Sequence, residues 1–120
     1  MTGKAQHAWH RLPLSPASLH ILLALAGEDL HGYGIMQEVL RQSEGRYKIG
    51  PGTLYDNLKK MMRQGLVEET SRPAPSTDPR RKYYRLHALG RGVLAEEVER
   101  LEGLLREARA NLRELKPRRA

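Results

Sequence analysis

The side chains of this 120-residue chain best equipped for chemistry are cations, and clustered cations hold anions. Arg72, Arg80, Arg81, Lys82, Arg85 and Arg91 stand against Asp78 alone in residues 72–91, so this short segment carries most of the chain's net charge of +7. A second group, Lys59, Lys60 and Arg63, follows Thr53 and Tyr55 a little upstream. Such bases neutralise phosphates, while Thr and Tyr hydroxyls contact phosphates and base edges. With a sequence pI near 10.1, nucleic acid is the first partner to consider. Catalysis has little to work with. Cysteine is absent, which excludes disulfides, thiolate zinc sites and thiol nucleophiles. Paired carboxylates beside a pocket and triad-like sets are not evident, and Gly50-Pro51-Gly52-Thr53 lacks the lysine of a P-loop. His7 and His10 are three apart and could share a helix face, but no further ligand lies near them, so no metal site and no cofactor are expected.

Five elements are expected to position these residues. Ser15 is a good N-cap with Pro16 at the first helical position, and Leu14 can staple to Leu19. Leu19, Leu22, Leu23 and Ala26 then mark a helical face that Gly27 ends. A second helix shows Ile35, Met36, Val39 and Leu40, with Gly45 as its stop and Gly32 and Gly34 allowing a close approach or a loose first turn at its start. A third begins at Gly50-Pro51 and buries Leu54, Leu58, Met61 and Met62, turning Lys59, Lys60 and Arg63 outward with Tyr55 at the margin. Tyr55 has two readings, a contact with nucleic acid or a partly buried ring beside Leu58. Asn57 lies nearer the buried stripe and is not expected to read a base. Leu66–Thr70 and Arg81–Leu86 form a β-hairpin whose Pro-rich connection reads as a loop. Alternation along a strand places Tyr83 and Tyr84 on opposite faces and lets only one or two of Arg80, Arg81 and Lys82 face a common surface.

The last helix, from about Ala88 to Lys116, carries Leu94, Val98, Leu101, Leu105, Ala108, Leu112 and Leu115 at alternating separations of four and three, an a/d heptad seam. Packing around Leu89 and Val93 can serve the chain's own core, but beyond Val98 too little apolar chain remains to cover the stripe, so a second copy is expected there. The fold class is therefore mainly α with a small β-hairpin: a winged helix-turn-helix over residues 15–87 and a long C-terminal dimerisation helix over 88–116. Residues 1–14 form an arm or extra helix and 117–120 a frayed tail. No apolar run is long enough to span a bilayer, and residues 1–14 lack a signal-peptide core, so a cytoplasmic protein without membrane contact is expected.

Three motifs in order, Leu30-His31-Gly32-Tyr33-Gly34-Ile35, Gly52-Thr53-Leu54-Tyr55 and Arg80-Arg81-Lys82-Tyr83-Tyr84-Arg85-Leu86 followed by Leu89-Gly90-Arg91, resemble the PadR family of bacterial transcription regulators. The likeness extends over roughly residues 14 to 110, in the short form with one C-terminal helix. His87 stands where the family more often has a Thr cap. The resemblance implies a homodimeric repressor of a pseudo-palindromic double-stranded DNA operator, released by an effector. It implies DNA contacts from Thr53 and Tyr55; Lys59, Lys60, Arg63, Arg80, Arg81 and Lys82 are the expected phosphate bases. His31 is expected to hydrogen-bond at a helix start. Small hydrophobic or aromatic effectors are common in the family, which puts a pocket near Trp9 among the readings; packing in the core or interface is what the residue itself supports. The alternative function is a protein-interaction module that kept the scaffold and lost specific DNA binding.

Overall fold

Ser15 opens the first helix with its own side chain. Its Oγ accepts the Ser18 N–H at 3.1 Å, and Pro16 needs no partner for a missing N–H, so α1 runs Pro16–Gly27. The computed structural model describes residues 12–71 and 81–114. Ile21, Leu22, Ala24 and Leu25 of α1 are buried. Of the expected face only Leu22 is, because α1 lies at the centre of the bundle and is packed from more than one side; Leu19 and Ala26 sit at the edge of the core and Leu23 is exposed.

β1 (Leu30–His31) leads directly into α2 (Gly32–Gln42). Ile35 and Val39 are buried, Met36 is half-buried and Leu40 is exposed. After α2 the Gly45 N–H returns to the Leu40 carbonyl at 2.8 Å and closes the turn. α3 (Pro51–Arg63) buries Leu54, Leu58 and Met61, with Met62 half-buried, as its one-sided stripe predicts.

β2 (Val67–Thr70) and β3 (Tyr83–Leu86) pair antiparallel, Val67 opposite Leu86 and Thr70 opposite Tyr83. The sheet has a third strand that the sequence did not announce: β1 pairs with the other edge of β3, Leu30 opposite Tyr84 and His31 opposite Tyr83, giving the order β1-β3-β2. A two-residue strand is too short to display a period of two. Tyr84 turns into the core and Tyr83 is half-buried on the other face.

α4 (Ala88–Glu114) has 27 residues, a rod of about 40 Å at 1.5 Å per residue. Its start is thinly capped, the Leu89 N–H reaching His87 Nδ1 only at 3.5 Å. Val93, Leu94 and Glu97 are buried against the rest of the chain. Leu94, expected on the dimer seam, thus belongs to this chain's own core, because the first two turns of α4 lie across α1. Glu97 accepts the Leu14 N–H at 3.0 Å and a two-point bond from Arg100 at 2.6 and 3.0 Å, which pins the approach to α1 onto α4. Beyond it Leu101 is half-buried while Val98, Leu105, Ala108 and Leu112 are exposed. Leu115, Arg80, Trp9, His7 and His10 lie outside the described residues.

Candidate nucleic-acid interface

The buried stripe of α3 fixes which side chains the helix offers outward. With Leu54, Leu58 and Met61 facing the core, Thr53, Tyr55, Lys59, Lys60 and Arg63 are all exposed. Asn57 faces neither way fully. Its Nδ2 donates to the Thr53 carbonyl at 2.8 Å, and its Oδ1 accepts from Ser18 Oγ at 3.4 Å, so its amide is engaged within the fold. Tyr55, 45% exposed, is held from the side by α2: its ring lies over Gly32, where a Cβ would overlap the phenol. The close approach at Gly32 therefore sets the place of Tyr55, rather than packing beside Leu58 alone.

The hairpin meets this helix at the base of the wing. His31, Gly32, Tyr33, Tyr55, Arg81, Lys82 and Tyr84 line one open notch of about 490 Å³. Arg81 and Lys82 precede β3, so the alternation of the strand does not separate them, and both reach the same notch. Lys82 has a loose, exposed pairing with Glu69 at 3.7 Å. Arg85, from the same basic run, is turned back onto the protein, with Asp29 at 3.2 Å and Glu68 at 3.9 Å. Burial first, then Glu69 and Tyr55, pushes the Tyr84 hydroxyl above its ordinary value, so it stays a neutral donor.

His31 joins the two halves. Its Nδ1 accepts the Gly34 N–H at 3.1 Å as the N-cap of α2, the structural part expected of it. Its Nε2 lies 3.0 Å from Arg81 Nη1, and the Tyr83 ring meets it edge-on at 5.3 Å. Desolvation, followed by the Arg81 charge, holds its pKa below the ordinary 6.5, so the imidazole is neutral at pH 7. Of the residues singled out from sequence, the structure gathers Tyr55, Arg81 and Lys82 at the notch and sets Thr53, Lys59, Lys60 and Arg63 along the exposed side of α3. The approach of His31 to Arg81, fifty residues away, carried no sequence signal except the His-Gly-Tyr motif itself.

Residues 21–96 match the PadR-like family of transcriptional regulators, more than half of the chain. The chain belongs to this family. All three of the motifs read above fall within that stretch. A relative in Mycobacterium tuberculosis, Transcriptional regulator Rv3488, is 36% identical over 89 residues, covering 74% of this chain and 78% of the relative. Among solved structures, a PadR family transcription regulator from Clostridium difficile superposes with a TM-score of 0.63 at 24% identity, covering 82% of this chain and 98% of that one. Bacillus subtilis PadR in complex with operator DNA gives a TM-score of 0.60 at 21% identity, covering 72% of this chain and 48% of that one. At such identities the structures establish the PadR winged-helix fold, with its three-stranded sheet and long C-terminal helix.

Proposed function

We propose that this PadR-family transcription regulator is a homodimeric repressor that binds a pseudo-palindromic operator in the cytoplasm and leaves it on binding a small hydrophobic or aromatic effector. What carries the DNA-binding part is the convergence of Tyr55, at the front of α3, with Arg81 and Lys82, at the base of the wing, on one open notch. A helix of this kind enters the major groove with its first residues toward the base edges, and a basic wing beside it meets phosphates. Thr53 and Tyr55 then contact base edges or phosphates, and Lys59, Lys60, Arg63, Arg80, Arg81 and Lys82 supply the electrostatic clamp. That Bacillus subtilis PadR is described with operator DNA supports the partner class.

The dimer is supported by α4. Val98, Leu101, Leu105, Ala108 and Leu112 continue a heptad seam with little of this chain over it, and Leu94 and Leu115 bracket it in sequence. Two copies place two recognition helices for half-sites about 34 Å apart or a multiple of that. The effector rests on the family likeness. No catalytic step, metal or cofactor belongs to this reading, and no helix among the described residues is long and apolar enough to cross a membrane.

The test is fluorescence anisotropy with duplex from the protein's own promoter region against random duplex, over a salt series. Specific binding should be tighter than random, with log K falling steeply against log salt. Equal affinity for both duplexes sinks the repressor. Replacing Arg80, Arg81 and Lys82 together with Ala should weaken DNA binding; under the interaction-module alternative the same replacement spares partner binding.

A further inference from the structure

A neutral imidazole has one acceptor nitrogen, yet each of the two ring nitrogens of His31 faces a donor from another residue. The Gly34 N–H stands at Nδ1, 3.1 Å away, and the Arg81 guanidinium at Nε2, 3.0 Å away. Whichever tautomer forms, one nitrogen carries a hydrogen toward another hydrogen. Capping of α2 takes Nδ1 as the acceptor, which leaves the hydrogen on Nε2, facing the Arg81 N–H at 3.0 Å, donor against donor. A small turn of the exposed Arg81 side chain admits an oxygen that accepts from both donors, and an anionic oxygen is favoured by the guanidinium.

The surroundings suit an anion. The residues lining the notch are neutral or basic, and Lys82 on the rim has an exposed pairing with Glu69 at 3.7 Å, which exchanges at little cost. Tyr33 is 61% exposed, and its ring lies parallel to the His31 ring at 6.5 Å, which leaves its hydroxyl accessible from the notch. The notch also opens between α3 and the wing, the two elements that the DNA reading lays along a duplex.

We propose that the notch seats a single phosphate group, held jointly by His31 Nε2–H and Arg81, with Tyr33 and Lys82 at its rim, and that in function this is one phosphodiester of the DNA backbone. The inference rests on the DNA-binding reading above and adds His31 and Tyr33 to it. His31 then has two tasks on one ring: Nδ1 starts α2 and Nε2 reads the backbone, so the register of the recognition unit on DNA is tied to the start of that helix.

His31→Asn separates the tasks, because Asn is an N-cap as good as any and has nothing at the place of Nε2. The variant should keep its far-UV circular dichroism and melting midpoint. It should lose about tenfold in affinity for promoter duplex, the scale of one hydrogen bond to a charged group. Being neutral, His31 should leave the salt slope as it is, whereas Arg81→Ala should lower it by about 0.9. Because both hold one phosphate, His31→Asn in the Arg81→Ala background should cost less than twofold, and Tyr33→Phe, at an exposed residue, serves as a second probe in the same assay. Wild-type affinity in folded His31→Asn, or full additivity with Arg81→Ala, overturns the seat while leaving the DNA reading intact. If the wild type itself binds no duplex, the DNA reading falls and inorganic phosphate decides the seat. A saturable shift of the His31 ring nitrogens in ¹⁵N NMR, lost in Arg81→Ala, supports it with free phosphate as the source; no shift overturns it.

Discussion

Gly32 is the residue on which the placement of Tyr55 turns. It is the first residue of α2, where an Ala would be tolerated by the helix, but its Cβ would occupy the space of the Tyr55 phenol. The ring end can swing into solvent, so Gly32→Ala should change fold stability by less than about 1 kcal/mol. It should still lower affinity for promoter duplex about two- to tenfold, the equivalent of one misplaced hydrogen bond. Unfolding midpoint and anisotropy measured on the same sample separate the two effects; unchanged DNA affinity would show that the position of Tyr55 is immaterial. Glu97 is the residue with the opposite character, a buried carboxylate engaged wholly within the protein. The hydrogen bond from Arg100, opposed by burial and helped by the Leu14 N–H, holds its pKa below the ordinary 4.5. A depressed folded pKa means that the unfolded chain takes up the proton first on acidification. The stabilisation is therefore complete above about pH 4.5 and declines as pH falls through the folded value. Glu97→Ala leaves the Leu14 N–H without its acceptor and should cost about 1–3 kcal/mol at neutral pH. Thermal unfolding of both proteins between pH 7 and 3 should show that difference shrinking below pH 4.5; a gap independent of pH would deny the carboxylate its role.

At the scale of elements, the joint between α4 and the sheet is tight at one point. The Leu66 carbonyl accepts the His87 N–H at 2.9 Å, and a Cβ on Gly90 would run into that same carbonyl and come within 2.9 Å of Leu86 Cδ1. Backbone cannot yield as a phenol can, so Gly90→Ala should destabilise by about 1–3 kcal/mol. Gly92, two residues along α4, has no atom of the described residues within 4 Å of a would-be Cβ apart from its chain neighbours and its own helix backbone, and Gly92→Ala should stabilise by about 0.5–1 kcal/mol through helix propensity. Urea unfolding of the pair reads both signs, and equal midpoints would mean that α4 does not seat on Leu66. Sequence reading saw the elements whose signals are local. Ser15-Pro16 and Gly50-Pro51 marked helix starts through capping chemistry, and α3 showed its stripe because one side alone is buried. It misjudged the α1 face because a helix packed from more than one side has no single stripe, and it passed over β1 because two residues carry no period. Leu94 satisfied the heptad spacing and still went to the core, since spacing fixes a face of a helix and not what covers it. Tyr55, Arg81 and Lys82 were legible one by one; their meeting with His31 depends on the β1–β3 register, a long-range pairing that no window of sequence contains.

At the scale of the whole molecule, the charge and the apolar surplus have separate addresses. In the sequence the basic excess falls in residues 72–91, and of these Arg81 and Lys82 stand exposed at the base of the wing, while the exposed Val98, Leu105 and Leu112 lie along the distal part of α4. A change on the seam should therefore reach DNA binding only through assembly. Leu105→Lys puts a charge at the middle of the proposed seam, far along the helix from the buried Val93 and Leu94, so each winged-helix unit should keep its own core. In sedimentation velocity the variant should run as a monomer at concentrations where the wild type is a dimer, and its melting midpoint should cease to rise with protein concentration. Affinity for a single half-site should be nearly unchanged. Affinity for a full two-half-site operator should fall by roughly 10²- to 10⁴-fold, because the second half-site is no longer held at high effective concentration. Leu112→Lys, nearer the end of the helix, should have a smaller effect on assembly. A variant that remains dimeric places the interface elsewhere. One that becomes monomeric yet binds the full operator as the wild type does would show that the two half-sites are not bound through α4, and the pseudo-palindromic reading would go with it.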